Sequence, residues 1–200
     1  YGVRGTLMKL ICVYCGSSFG KRDSYLAAAK ALGTAMAKRD ITLVYGGGNI
    51  GLMGALADTV MAHKGSVIGV IPQALADREV AHTGITELKI VASMHERKAA
   101  MAELADAFIA MPGGFGTLEE LSEIITWTQL GIHKKACGLL NIDGFYDGLL
   151  NFFDHATKEQ FIRVQHREIV FSNTDPAALL DKLGQFQAPD IDKLRKTVSQ

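Results

Sequence analysis

Short runs of β-branched and apolar residues recur along the chain, with room for one amphipathic helix between most neighbours. They read LICVY (10–14), TLVY (42–45), VIGVI (67–71), LKIV (88–91), AFIAM (107–111), CGLL (137–140) and EIVF (168–171). Such runs are too apolar to leave one face in water, which predicts strands of a parallel sheet covered on both sides. Between them, polar positions interleave at helical spacing over about 24–39, 51–63, 94–104, 117–130, 145–158 and 175–186. The alternation predicts an α/β fold: a doubly wound, Rossmann-like, mostly parallel sheet of about seven strands with helices on both faces.

No linker, repeat or low-complexity stretch interrupts the pattern, so residues 8–187 are expected to form one domain. YGVRGTL, ahead of Met8, has no signal-peptide core and reads as a remnant of an expression vector. After QAPD the chain is polar and reads as a tail, 188–200. The 200 residues are 48% apolar, enough for a substantial core. Lys plus Arg equals Asp plus Glu, 21 each, so no net field recruits nucleic acid or an anionic membrane. The longest apolar runs fall far short of the roughly 18 residues of a membrane span. A soluble cytoplasmic protein is the expectation.

Cys12 and Cys15 form a C-x-x-C, yet Cys12 sits inside a predicted strand, whereas a redox pair normally opens a helix. The six histidines are scattered without i, i+4 pairing. Small buried cysteines, no metal and no cofactor are the reading.

In doubly wound folds, ligands bind beyond the carboxyl ends of the strands. CGSS follows the first predicted strand, GGGNIGLMG the second and PGGFGTLEE the fifth. Gly46-x-Gly48-x-x-Gly51 is formally a dinucleotide fingerprint, but it follows the second strand, and VIGVI ends in Pro72-Gln73 where an acidic residue should meet the ribose. No Walker lysine follows the glycines. A turn that brings backbone N–H groups and a helix N-terminus to a ligand remains. In PGGFGTLEE, Thr117-x-x-Glu120 reads as a capping box, and Glu119, Glu120 and Glu123 suit the positive end of a helix dipole. The box does not explain Gly113, Gly114 and Gly116, which make sense if a ligand touches the backbone. Ser93-x-x-Glu96 is a second box, starting a helix near Met94. Arg97 then shares an apolar stripe with Met94, Met101 and Leu104, where it needs a carboxylate or phosphate partner.

Together these motifs resemble the LONELY GUY (LOG) family, cytokinin-activating phosphoribohydrolases often labelled lysine decarboxylases. The family's P-G-G-x-G-T-x-x-E matches Pro112 through Glu120 without departure, and its Arg-Lys pair matches Arg97 and Lys98 in MHERK. CGSS, VYGGGNIGLMG, VIGVIP and ITWTQLGIHKK are also similar, so the likeness covers roughly residues 9–185. It implies hydrolysis of an N6-substituted adenosine 5′-monophosphate to free base and ribose 5-phosphate by a homodimer or higher homo-oligomer without cofactor.

It also implies Arg97 and Glu120 as catalytic residues. The nucleotide-binding residues implied are Glu79, Met94, Lys98 and Thr126, with the loop residues Gly113, Gly114, Phe115, Gly116, Thr117, Leu118 and Glu119. On this reading Gly114, Gly116 and Thr117 bind the phosphate, and Glu120 faces the ribose, where cleavage builds positive charge. Three alternatives compete: a general AMP nucleosidase, a non-catalytic nucleotide or molybdopterin-cofactor carrier, and a pyridoxal-phosphate decarboxylase, for which only Lys98 offers itself as the Schiff-base lysine.

Overall fold

The computed structural model describes residues 8–188. The expectations for residues 1–7 and for all but the first position of the tail lie outside the described residues. The chain forms β1 (Leu10–Tyr14), α1 (Asp23–Lys38), β2 (Thr42–Tyr45), α2 (Gly51–Ala62) and β3 (Val67–Pro72). A short α3 (Gln73–Leu75) runs into a π-helical turn, Ala76–Val80, before β4 (Glu87–Val91) and α4 (Met94–Leu104). β5 (Ala107–Ala110), α5 (Phe115–Leu130), β6 (Ala136–Leu140), α6 (Asp147–Lys158), α7 (Val164–Arg167), β7 (Val170–Asn173) and α8 (Pro176–Gln185) complete it.

The seven strands make one sheet in the order β4-β3-β2-β1-β5-β6-β7. Every pairing is parallel. The chain winds outward from β1 to one edge, returns, and winds outward from β5 to the other. β1 and β5 are neighbours, with Tyr14 opposite Ala110, so the chain leaves both strands at the same height and in opposite senses. That reversal opens a crevice at the switch point.

Two apolar layers cover the sheet. Ala29, Leu32 and Met36 of α1, Leu52, Leu56 and Val60 of α2, and Leu179 and Leu183 of α8 pack one face. Met101 of α4, Leu121 and Ile124 of α5, and Tyr146 with partly buried Leu149 and Leu150 pack the other. The central strands β5 and β6 are buried at every position, as the unbroken apolar runs require. β4 departs from the reading that no strand is half-exposed: it is an edge strand, and Ile90 is 46% exposed. β7 begins two residues later than EIVF suggests, because α7 and a turn from Ile169 N–H to the His166 carbonyl (3.2 Å) take up the preceding residues.

Candidate functional site

The loop after β5 is fastened to its neighbours by main chain. Met111 N–H donates to Tyr14 O (2.9 Å), Gly16 N–H to Pro112 O (3.0 Å), and Tyr146 Oη to Met111 O (2.6 Å). CGSS and PGGFG therefore leave the sheet side by side. Helix α5 begins at Phe115 with Gly114 as its N-cap, and no side chain caps it. The capping box expected at Thr117 and Glu120 is not formed: the N-cap is Gly114, three residues before Thr117, and Thr117 lies buried in the first turn against Gly113. The first helical bond runs from Leu118 N–H to Gly114 O (3.1 Å). Among the described residues, the N–H groups of Phe115, Gly116 and Thr117 donate to no protein acceptor. A helix start so exposed is an anion site.

The three glycines divide by what a Cβ would meet. At Gly113 it would collide with the Thr117 hydroxyl, so this glycine serves packing. At Gly114 and Gly116 it would meet nothing within 4 Å. Neither is needed for space inside the protein, and both keep the backbone bare toward the crevice.

Glu120, freed from the helix cap, forms no ion pair within 4.0 Å among the described residues. Burial pushes its carboxyl up to about 7, while Arg97 pulls it back and Glu119 adds to the rise. A carboxylic acid balanced near neutrality between burial and a cation is poised to hold or release a proton.

Arg97 lies in the first turn of α4, whose start forms as expected: Ser93 Oγ accepts from Glu96 N–H (3.1 Å), and Glu96 Oε2 accepts from Ala92 N–H (2.8 Å). Among the described residues no carboxylate pairs with Arg97, whose partners within the protein are two main-chain carbonyls. Nε donates to Val70 O (3.1 Å) and Nη2 to Gly46 O (3.1 Å), which fixes the guanidinium between β3 and the turn that follows β2. Any Cβ at position 46 would strike this guanidinium. The first glycine of the GxGxxG pattern thus makes room for Arg97. The turn is otherwise engaged within the protein, Asn49 N–H to Val80 O (2.9 Å) and Leu52 N–H to Gly16 O (3.1 Å). It is therefore a weaker anion site than its glycines suggest, and α5 supplies the open helix end.

These parts line one cavity of about 480 Å³. Of the residues that the sequence reading singled out, Met94, Arg97, Gly114, Phe115, Gly116, Thr117, Glu119 and Glu120 line it. The other five candidates are not among its lining residues. Lys98 pairs with Glu119 and Glu123. Gly113 borders a smaller neighbouring cleft of about 250 Å³. Leu118 packs into the core, and exposed Thr126 donates to Ser122 O (2.7 Å) one turn back along α5. Glu79 lies in the π-helical turn, and its side chain is outside the described residues. Cys15, Gly16 and Ser17, noticed as part of CGSS but not named as site residues, also line it, and so does an apolar wall that sequence reasoning missed, Ile50, Met53, Ile71, Leu75 and Val80. CGSS was a visible signal for the first group. The wall had none, because apolar residues after a strand look like core.

Comparison with known proteins fits this geometry. Residues 53–183 match the family model described as "Possible lysine decarboxylase". Over 186 residues the chain is 52% identical to the cytokinin riboside 5′-monophosphate phosphoribohydrolase LOG7 of Arabidopsis thaliana, covering 93% of this chain and 85% of that protein. The chain belongs to the LOG family. The rice (Oryza sativa subsp. japonica) relative LOG, a cytokinin riboside 5′-monophosphate phosphoribohydrolase, is 53% identical over 185 residues, 92% of this chain and 76% of its own. Among solved structures, the molybdenum cofactor binding protein of Rippkaea orientalis superposes with a TM-score of 0.68 at 20% identity, covering 88% of this chain and 96% of that one. That likeness is one of fold. Among the described residues no lysine lines the cavity, and Lys98 is held by Glu119 and Glu123.

Proposed function

We propose that this enzyme hydrolyses the N-glycosidic bond of N6-substituted adenosine 5′-monophosphates, releasing the free base and ribose 5-phosphate. The observation that carries the reading is the pairing, in one cavity, of a bare helix start with Glu120 and Arg97. The N–H groups of Phe115, Gly116 and Thr117 receive the 5′-phosphate, and the helix dipole favours its charge. Glu120, one turn further on, then lies under the ribose. As the bond between sugar and purine breaks, its electron pair leaves with the base, and positive charge grows on the sugar. The ionised Glu120 stabilises that charge and takes a proton from the attacking water, whose oxygen becomes the new sugar hydroxyl. Arg97, anchored by two carbonyls and with Nη1 resting on Met94 Sδ (3.8 Å), offers its charge to the departing base, which takes up a proton from solvent as Glu120 returns the one it gained to solvent. The wall of Ile50, Met53, Leu75 and Val80 suits an apolar substituent on N6.

The test is incubation with isopentenyl-AMP, AMP and isopentenyladenosine, with bases and nucleotides separated by chromatography. Cleavage of the first with little reaction of the nucleoside is expected, because binding at the phosphate orients the distant bond. Equal rates on nucleoside and nucleotide would sink the phosphate reading. Equal rates on AMP and its isopentenyl derivative would make the enzyme a general AMP nucleosidase.

We also infer a cytoplasmic homo-oligomer, at least a dimer. Three reduced cysteines support a reducing compartment. Large apolar side chains left in water around α6 and α7, Phe152, Phe161 and Val164, support a covering partner. Among the described residues no helix is long and apolar enough to cross a membrane.

A further inference from the structure

Lys98 follows Arg97 on α4 and is not among the residues lining the cavity, although its partner Glu119 is. Its Nζ stands 2.6 Å from Glu119 Oε1 and 3.2 Å from Glu123 Oε1, and only 14% of its side chain is exposed. Glu119 and Glu123 are one turn apart on α5 and flank Glu120 in sequence. One ammonium thus ties the helix that carries Arg97 to the helix that carries Glu120. It does so next to three carboxylates gathered within two turns. Half-buried and already engaged by two carboxylates, that ammonium has little left to offer a phosphate.

We propose that Lys98 is a positioning residue for the hydrolysis: by pairing with Glu119 and Glu123 it leaves Glu120 as the unpaired carboxylate of the three to act on the sugar, and it does not itself grip the nucleotide. The inference rests on the hydrolase reading above. The electrostatics agree in sign, since Lys98 lowers the Glu120 carboxyl and both flanking glutamates raise it. Without Lys98, Glu120 keeps its proton to higher pH, and Glu119 is released toward the phosphate loop.

The test is Lys98→Met, which keeps the length of the stem and removes the charge. The expected result is an acid limb of the single-turnover rate displaced to higher pH by about half a unit or more, as for loss of a nearby opposite charge. Affinity for ribose 5-phosphate, measured at pH 9, should fall less than about threefold. Adding Glu119→Gln and Glu123→Gln to that variant should move the limb back toward the parent. A loss of affinity of about tenfold or more at every pH, with the limb unmoved, would show that Lys98 grips the phosphate and would overturn the proposal. A second readout is independent of turnover: carbon-13 titration of the Glu120 carboxyl, with no substrate present, in parent and Lys98→Met. Movement there with no hydrolysis by the parent would refute the hydrolase reading and keep the clamp. No movement would refute the clamp whatever the parent does.

Discussion

Glu120 carries a charge that the surrounding protein opposes, and this has two consequences of different sign. Its carboxyl, ordinarily near 4.5, is pushed by burial to about 7 in the folded chain, so the folded state holds this proton more tightly than the unfolded state does. The group's contribution to stability is therefore complete below about pH 4.5 and is lost as pH rises through about 7. In the proposed mechanism, catalysis by the ionised form runs the other way and grows over the same window. Glu120→Gln separates the two. At pH 8 its melting temperature should exceed the parent's by on the order of 5 °C, and near pH 4.5 the difference should vanish. At pH 8 its single-turnover rate should fall roughly 100-fold or more, with ribose 5-phosphate affinity little changed. Calorimetry and rapid quench on the one variant check both. A parent rate with no acid limb near pH 7 would remove Glu120 from the sugar.

At the scale of an element, the first turn of α5 explains why three adjacent glycines do different work. Gly113→Ala drives a methyl into Thr117 and should destabilise by about 1–3 kcal/mol, read by urea unfolding. Gly114→Ala and Gly116→Ala meet open space and should unfold within about 1 kcal/mol of the parent, yet lose ribose 5-phosphate affinity by roughly tenfold or more. Nucleotide binding that survives both would place the phosphate elsewhere. The same turn marks where sequence reading stops. Thr-x-x-Glu signals a cap in a string of letters, but the loop tied to Tyr14, Gly16 and Tyr146 starts the helix at Phe115. Ser93-x-x-Glu96 met no such constraint and formed where expected. Arg97 was legible as a misplaced charge. Its partners were not, because they are main-chain carbonyls 27 and 51 positions away in sequence, one in β3 and one just past β2.

Across the whole molecule, the alternation of apolar runs was enough to read a doubly wound sheet, and the buried central strands follow from it directly. Strand order was not legible, since periodicity says which face is buried and nothing about which neighbour lies beside it. The order decides the chemistry: with β1 beside β5, loops separated by about a hundred residues share a crevice. The exposed Phe152, Phe161 and Val164 belong to this scale as well. Sedimentation equilibrium should return at least twice the chain mass. Changing all three to Ser should leave the sheet's circular dichroism intact, and a parent that sediments as a monomer would refute the oligomer.

Arg97 comes from the half of the chain that builds β1 to β4, and Glu120 from the half that builds β5 to β7. The boundary falls in the short turn between Leu104 and Ala107, at the seam of the sheet. Two separately expressed fragments cut there would each lack one member of the pair, and each would leave half a β1–β5 seam unmated. Turnover would report their reunion, which makes this chain a natural scaffold for a fragment-complementation sensor.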